Sequence, residues 1–205
     1  MICWDCKIMK RLQLLAKNLN KRGFETEIFG SSGPASKRIC DIVNGCVVGV
    51  GNSMTLESLG LFESLKINAK EVFFHLPGGA GEAERKALTA EFYLSSANAI
   101  SMDGHIVNID GTGNRVAATC FGSKRVIYLI GKNKITETLD EAMTRAKDTA
   151  VKLAKHYDRK TPCVTTGKCE NCFSPECICS ITTIHRQKPY GINTSVFLIN
   201  EELGL

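Results

Sequence analysis

The sequence predicts an α/β fold in which a mostly parallel sheet is flanked by helices. Short apolar runs rich in valine and isoleucine are typical of buried strands, and apolar residues spaced by three and four are typical of helices. The two kinds of segment alternate along the 205-residue chain, an order that favours parallel strands joined by helical crossovers. The length and the 43% hydrophobic content suit one globular domain, residues 1–205.

The first half of the chain begins with an amphipathic helix. Ile8, Leu12, Leu15 and Leu19 lie on one helical face, and Gly23 is a suitable end for this helix. After this helix, strands are predicted at 25–29, 46–51 and 71–75, and helices at 53–66 and 81–91.

The second half adds a hairpin insertion to this alternation. Residues 96–109 read as two short strands joined at Asp103 and Gly104, a strong hairpin signal. A strand at 125–131 precedes a long helix at 138–156, which Thr138 and Glu141 begin as a capping box. A last strand is predicted at 192–200.

Charge and hydropathy limit the classes of function. The net charge of +5 is spread without a basic block or aromatic stripe, which argues against nucleic-acid binding but fits a basic rim around an anion site. No apolar run approaches the roughly 20 residues that span a bilayer, so we expect no membrane insertion. Residues 1–12 carry four charges among their apolar positions and lack a signal-peptide core. We expect a cytoplasmic protein.

Three glycine-containing loops follow predicted strands, where α/β proteins bind ligands. In residues 48–55, Gly51 lets the backbone approach an anion, and Ser53 and Thr55 offer hydroxyl groups. The alternative is a tight turn with Ser53 as helix cap. The second loop, 75–85, is either a lid or a plain connector, and His75 at its start is a candidate for catalysis or structure.

The third loop, residues 108–115, has the strongest functional signature. Gly113 and Asn114 precede Arg115, whose guanidinium suits a bidentate contact with a carboxylate or phosphate. Asp110 is a candidate general base. The alternative is a turn in which Asp110 caps backbone donors. Residues 114–122 are predicted to form a short helix that Gly122 ends.

A polar segment near the C-terminus contains half of the ten cysteines: Cys163, Cys169, Cys172, Cys177 and Cys179. Four thiolates can hold either zinc or an iron–sulfur cluster. Cys163, Cys169 and Cys172 would supply three ligands. Cys179, or alternatively Cys177, would supply the fourth. The spacing of the cysteines is compatible with three alternatives: an iron–sulfur cluster, structural zinc, or no bound metal. Cys3 and Cys6 form a second C-x2-C pair, either redox-active or incidental, and the remaining three, Cys40, Cys46 and Cys120, read as small core residues.

Five stretches of the chain resemble one protein family. Residues 88–122 (LTAEFYLSSANAISMDGHIVNIDGTGNRVAATCFG), followed by VIYLIGKNKI at 126–135, resemble the lactate-utilization (LUD) domain family. VGVGNSMTLESLGL at 48–61 is similar to its earlier loop, and TPCVTTGKCENC with SPECIC resembles a cysteine-bearing subgroup. Glu91 stands where the family pattern has Asp, and Cys177 is an additional cysteine.

This resemblance implies a fold like that of the NagB/RpiA/CoA-transferase superfamily, whose members bind sugar phosphates or acyl-CoA carboxylates at such loops. It also implies L-lactate oxidation beside iron–sulfur partner proteins. The residues carried over as ligand-site candidates are Gly51, Ser53, Thr55, Asn98, Asp110, Gly113, Asn114 and Arg115.

Three functional hypotheses follow. The leading one is a protein that binds a small anionic metabolite, carries a [4Fe-4S] cluster and serves 2-hydroxy acid redox metabolism, with an iron–sulfur protein as partner. The second is a non-redox isomerase or transferase on a sugar phosphate or CoA-linked substrate, with structural zinc. The third is a non-catalytic ligand-binding subunit. The loop GVGNSM lacks the third glycine of a dinucleotide fingerprint. A homodimer is compatible with all three.

Overall fold

The computed structural model describes residues 4–74 and 81–205 and contains ten strands. In chain order they are β1 Glu25–Phe29, β2 Val47–Val50, β3 Glu71–Phe74, β4 Phe92–Ser95, β5 Ala99–Ser101, β6 Ile106–Asp110, β7 Arg125–Gly131, β8 Ile135–Thr136, β9 Ile181–His185 and β10 Asn193–Ile199.

Eight α-helices occur in the described part of the chain: α1 Trp4–Lys21, α2 Ser32–Val43, α3 Met54–Ser58, α4 Leu61–Asn68, α5 Glu82–Leu88, α6 Asn114–Ala117, α7 Leu139–His156 and α8 Pro162–Thr166. A π-helical turn, Ala118–Gly122, continues α6, and a 3-10 turn, Lys132–Lys134, follows β7.

Six of the strands form a parallel sheet in the order β1-β10-β7-β4-β2-β3. Parallel sheets are buried on both faces, which explains why β4 and most of β7 are continuously apolar and buried. One face packs against α1 and α5, with Leu15, Tyr93 and Tyr128 in its core. The other face packs against α2, α3 and α4, with Ile39 and Leu61 in its core. The predicted mostly parallel α/β architecture is confirmed.

The predicted hairpin belongs to a second sheet of four strands, in the order β8-β5-β6-β9. β5 and β6 are antiparallel, and β9 adds to β6 after the cysteine-rich segment. Helix α7 covers this sheet, and its alanines Ala142, Ala146 and Ala150 pack against Val107 and Ile109. Small side chains let the helix approach the sheet closely, so that α7 can contribute residues to the seam between the two sheets.

The long helix begins as the sequence predicted. Thr138 accepts a hydrogen bond from the backbone N–H of Glu141 at 3.2 Å. The Glu141 carboxylate accepts from the backbone N–H of Glu137 at 2.9 Å, one residue before the position that a standard capping box uses.

Several elements differ from the sequence prediction. The helix predicted at 53–66 is two helices, because Gly60 adopts a left-handed conformation (φ +61°) between α3 and α4. Of residues 96–101, predicted as the first hairpin strand, only Ala99–Ser101 form a strand, β5 in the small sheet. Strands β4, β8 and β9 and helices α2 and α8 were not predicted. His75 and Cys3 lie outside the described residues.

No helix in the described ranges has both the length and the apolar composition that crossing a bilayer requires.

Gly49 in β2 provides a test of the packing between the sheet and α5. A Cβ at Gly49 would lie 2.5 Å from the carbonyl oxygen of Ala87 and 2.9 Å from the Tyr93 ring. We expect Gly49→Ala to lower the unfolding free energy by about 1 to 3 kcal/mol, because backbone must move to admit the methyl group. The measurement is urea unfolding.

Gly33→Ala is the matched control, since a Cβ at this exposed helical position meets nothing within 4 Å. It should leave stability unchanged or raise it by up to about 1 kcal/mol. Equal losses in the two variants would contradict the packing described for β2.

Candidate functional site

A cleft lies where the two sheets meet, at the carboxyl ends of β2, β4 and β6. Its empty space is about 1020 Å³ and is partly open to solvent. Open α/β sheets bind ligands at this edge. The lining polar side chains come from loops after these strands, from the 3-10 turn and from α7 and the segment after it: Asn52, Ser53, Ser96, Asn98, Asp110, Thr112, Asn114, Arg115, Lys134, Thr149, Tyr157 and Arg159.

Arg115 joins the first and third glycine loops. Its Nη2 donates to the carbonyl oxygen of Ile109 at 2.6 Å, and its Nε lies 3.5 Å from the Asp110 carboxylate. A Cβ at Gly51 would lie only 3.3 Å from the Arg115 Cγ and 3.0 Å from the Tyr93 hydroxyl. Gly51 therefore makes room for the arginine to lie against the backbone of the first loop.

Lys134 places a buried amine in the wall of the cleft. The residue is 5% exposed, and its Nζ donates to the carbonyl oxygen of Ala97 at 3.0 Å. Among the described residues no carboxylate lies within ion-pair distance of this amine. Burial, and then the positive charges of Arg145 and Arg115, lower the pKa of Lys134 from 10.5 to about 7.

Arg145 supports the same wall from behind. Its Nε donates to the Asn133 carbonyl oxygen at 2.9 Å, and its Nη1 donates to the carbonyl oxygen of Asn98. Burial lowers the pKa of this guanidinium. The arginine thus fixes the turn that carries Lys134 and the strand connection that carries Asn98.

Arg159 adds a third cation from the segment after α7. Its Nε is buried and has no hydrogen-bond partner among the described residues. Nearby, the Asn52 side-chain amide donates to the Tyr157 hydroxyl at 3.2 Å, which links the first glycine loop to the end of α7. A buried N–H without a partner is unfavourable, and an anionic ligand in the cleft would give it an acceptor.

The structure brings most of the predicted ligand-site residues together. Ser53, Asn98, Asp110, Asn114 and Arg115 line the cleft. Gly51 contacts Arg115 behind the wall. Gly113 adopts a left-handed conformation (φ +86°) just before α6.

Two of these residues also have structural contacts. The side-chain oxygen of Asn98 accepts from the backbone N–H of Ile109 at 2.9 Å. Asp110 accepts from the backbone N–H of Val116 at 3.4 Å in addition to its ion pair. Their contacts hold the third loop in position.

Thr55 is separated from the predicted site. It is buried in α3, its hydroxyl donates to the Leu203 carbonyl oxygen at 3.2 Å, and it is not in the cleft wall. The hydroxyl predicted to contact an anion instead attaches the C-terminal segment, because the helix that starts at Met54 turns Thr55 inward.

Sequence reasoning missed Lys134, Tyr157 and Arg159. The signal for Lys134 was weak, because KNK after a strand resembles an ordinary exposed turn. Only the close packing of α7 and the small sheet buries it. Arg159 follows a helix end at which basic residues are common, so its type and position did not distinguish it.

The cysteine-rich segment borders the cleft. Ile178 lines the cleft, and its Cα would lie 3.1 Å from a Cβ placed at Gly111 in the third loop. Helix α8 packs against α7. The Glu176 carboxylate, inside the segment, accepts a hydrogen bond from the backbone N–H of Lys160, just before the segment, at 2.9 Å.

The thiols in this segment do not all share one environment. The Cys163 Sγ lies 3.1 Å from the Thr161 hydroxyl, and the Cys177 Sγ lies 3.4 Å from the Ser180 hydroxyl. Burial, followed by the negative charges that Cys177 and Cys169 would carry as thiolates, raises the pKa of Cys179 to about 11.

These thiols are the right chemical type for zinc or an iron–sulfur cluster, and Cys172 also acts on the pKa of Cys179. Within the described residues, however, no three His, Cys, Asp or Glu side chains are gathered as metal ligands. The donor set fits a thiolate-bound metal.

Comparison with known proteins identifies a family and a fold. The model of the LUD domain matches residues 12–198. The structure is similar to the crystal structure of a DUF162 family protein from Deinococcus radiodurans, with a TM-score of 0.54 and 13% sequence identity over 94% of this chain and 98% of that chain. At this identity the likeness concerns the fold. A search of curated proteins found no match.

The buried amine makes stability depend on pH in a testable way. Folded Lys134 loses its proton near pH 7, whereas the unfolded side chain keeps it to about pH 10.5. Between these values the unfolded state binds more protons, so this residue makes the unfolding free energy rise with pH. We expect Lys134→Met to reduce that rise, measured by urea unfolding at pH 7, 8 and 9.

Lys66→Met is the control, because Lys66 lies on the surface in an ion pair with Glu63. It should give a pH dependence parallel to that of the wild type. Parallel curves for wild type and Lys134→Met would show that the amine titrates as an exposed lysine does.

Proposed function

The chain belongs to the LUD domain family, which is associated with lactate utilization, and on this premise we propose that its cleft binds a small 2-hydroxy carboxylate such as L-lactate. The observation that carries the proposal is the charge of the cleft wall. Arg115, Lys134 and Arg159 line it, whereas the one carboxylate side chain among the described lining residues, Asp110, is already paired with Arg115.

Arg115 is the proposed carboxylate ligand. Its Nε and Nη2 bind protein oxygen atoms, and its Nη1 has no hydrogen-bond partner among the described residues. A guanidinium held on one side by Asp110 and Ile109 is positioned before the ligand arrives, which reduces the entropy lost on binding. The proposed role of Asp110 is therefore to orient Arg115 as well as to serve as a candidate base.

Lys134 is the proposed acid–base group. A pKa of about 7 lets the amine take or give a proton at neutral pH. By contrast, the Asp110 carboxylate is already engaged with the Arg115 guanidinium. In this arrangement Lys134 would exchange the proton of the substrate hydroxyl, while Arg115 holds the carboxylate.

We further propose that the cysteine-rich segment carries a [4Fe-4S] cluster. Support comes from position, since Ile178 lies between two of the cysteines and also lines the cleft. Cys163, Cys169, Cys172 and Cys179 are the proposed ligands, with Cys177 as the alternative fourth. A bound cluster would supply single-electron transfer beside the anion site, and an iron–sulfur protein is the proposed electron partner.

Binding by the cleft is tested with Arg115→Ala. Isothermal titration calorimetry with L-lactate should give a dissociation constant at least about tenfold higher than that of the wild type, equivalent to about 1.4 kcal/mol. Lys134→Met should also weaken binding, because it removes the second cation. Inorganic phosphate is titrated in parallel.

Arg38→Ala is the control, since Arg38 pairs with Glu27 on the surface. It should leave the affinity unchanged. Unchanged affinity in Arg115→Ala would overturn the site, and binding of phosphate without lactate would support the sugar-phosphate alternative.

The cluster is tested by anaerobic reconstitution with iron and sulfide. We expect a broad visible absorbance that dithionite bleaches, and its loss in Cys169→Ser. Comparing Cys179→Ser with Cys177→Ser would show which of the two is the fourth ligand. Cys46→Ser is the control, because Cys46 packs beside the core of the large sheet. One colourless zinc ion per chain would contradict the proposal.

A further inference from the structure

A second group of reactive side chains lies away from the cleft wall. The Cys120 Sγ is 3.3 Å from the His185 Nε2, and the His185 Nδ1 is 3.1 Å from the Tyr128 hydroxyl. None of the three lines the cleft. The chain of contacts connects the π-helical turn, the small sheet and the large sheet, so residues distant in sequence are brought together by the fold.

This arrangement has the order of a nucleophile, a base and a group that orients the base. His185 is 7% exposed and Tyr128 is fully buried. With the Nε2 of His185 accepting the thiol proton, its Nδ1–H donates to the Tyr128 hydroxyl oxygen. Burial lowers the pKa of His185, so that its neutral form, the form that can accept a proton, predominates at neutral pH.

The local backbone also distinguishes Cys120 from a core cysteine. It lies in the π-helical turn Ala118–Gly122, a rare conformation that is frequent at functional sites. Cys120 is a partly exposed residue, and its neighbour Phe121 is 90% exposed. Ile184, the neighbour of His185, is 39% exposed. Cys120 therefore lies near the surface, beside apolar residues.

We propose that Cys120 is a nucleophilic thiol that forms mixed disulfides with low-molecular-weight disulfides, with His185 as its base and Tyr128 as the positioning residue. The Cys120 sulfur attacks one sulfur of the disulfide while its proton passes to the His185 Nε2. The old S–S bond breaks, and its electron pair leaves with the departing thiolate, which takes the proton from His185. The products are one mixed disulfide at Cys120 and one free thiol.

The base is necessary because burial raises the pKa of the Cys120 thiol. Such a thiol has little thiolate at neutral pH, although its sulfur is intrinsically more nucleophilic once the proton is removed. If the thiol proton passes to the adjacent imidazole during the attack, Cys120 need not be ionised beforehand. Disulfides are suitable partners, because the exchange requires no further oxidant or reductant.

The test uses the full chain with glutathione disulfide, and mass spectrometry follows mixed-disulfide formation at each cysteine with time. Cys40 is the internal control, since it is also partly exposed and its thiol pKa is also raised by burial, but it contacts no imidazole in the described part of the chain. We expect Cys120 to react at least about tenfold faster than Cys40. Equal rates in the wild-type protein would overturn the proposal without any variant.

His185→Ala should lower the Cys120 rate at least tenfold and leave the Cys40 rate unchanged, and added imidazole should restore the Cys120 rate alone. Tyr128→Phe keeps the ring and should lower the Cys120 rate severalfold. If a variant loosened the structure, mixed disulfides would form faster at both Cys120 and Cys40. This outcome is distinct from loss of the base, which slows only Cys120. An undiminished Cys120 rate in folded His185→Ala, or in Tyr128→Phe, would also overturn the assignment.

Discussion

Positive charge buried at the seam between the two sheets is the constraint on which the site depends. Arg115 reaches across this seam, and it can do so because Gly51 has no side chain at the point of contact. Lys134 and Arg145 lie close enough for the guanidinium to lower the pKa of the amine. Lys134 and Arg145 have no carboxylate partner among the described residues, and buried charge without a counter-ion is unfavourable. The fold holds them by hydrogen bonds to the carbonyl oxygen atoms of Ala97, Asn98 and Asn133.

That arrangement connects stability with binding. The buried positive side chains destabilise the empty cleft. A bound anion would offset that cost by pairing with them, and this gain would add to the affinity for the anion. Asp110 neutralises only part of the charge, and its bond to the backbone N–H of Val116 holds it near the start of α6. The proposed anion site would therefore select ligands by the sign of their charge before any contact specific to one metabolite is made.

The cysteines divide into two chemically different groups. Those of the C-terminal segment lie in a polar loop that borders the cleft through Ile178, which makes metal binding beside the ligand the natural hypothesis. Cys120 lies in a π-helical turn against a buried imidazole. Reading Cys120 as a small core residue was reasonable from its apolar neighbours, but its histidine partner lies 65 residues further along the chain.

The sequence by itself determined the α/β class, the parallel strands, the long capped helix and the glycine loops around Gly51 and Arg115, because hydrophobic periodicity and turn chemistry are local properties. Only the tertiary structure decided that β4 and β5 belong to different sheets, that Thr55 turns away from the cleft and that Lys134 is buried in its wall. Those outcomes depend on which distant segments pack together. An apolar run, a hydroxyl or an amine has the same local signature whichever neighbour covers it.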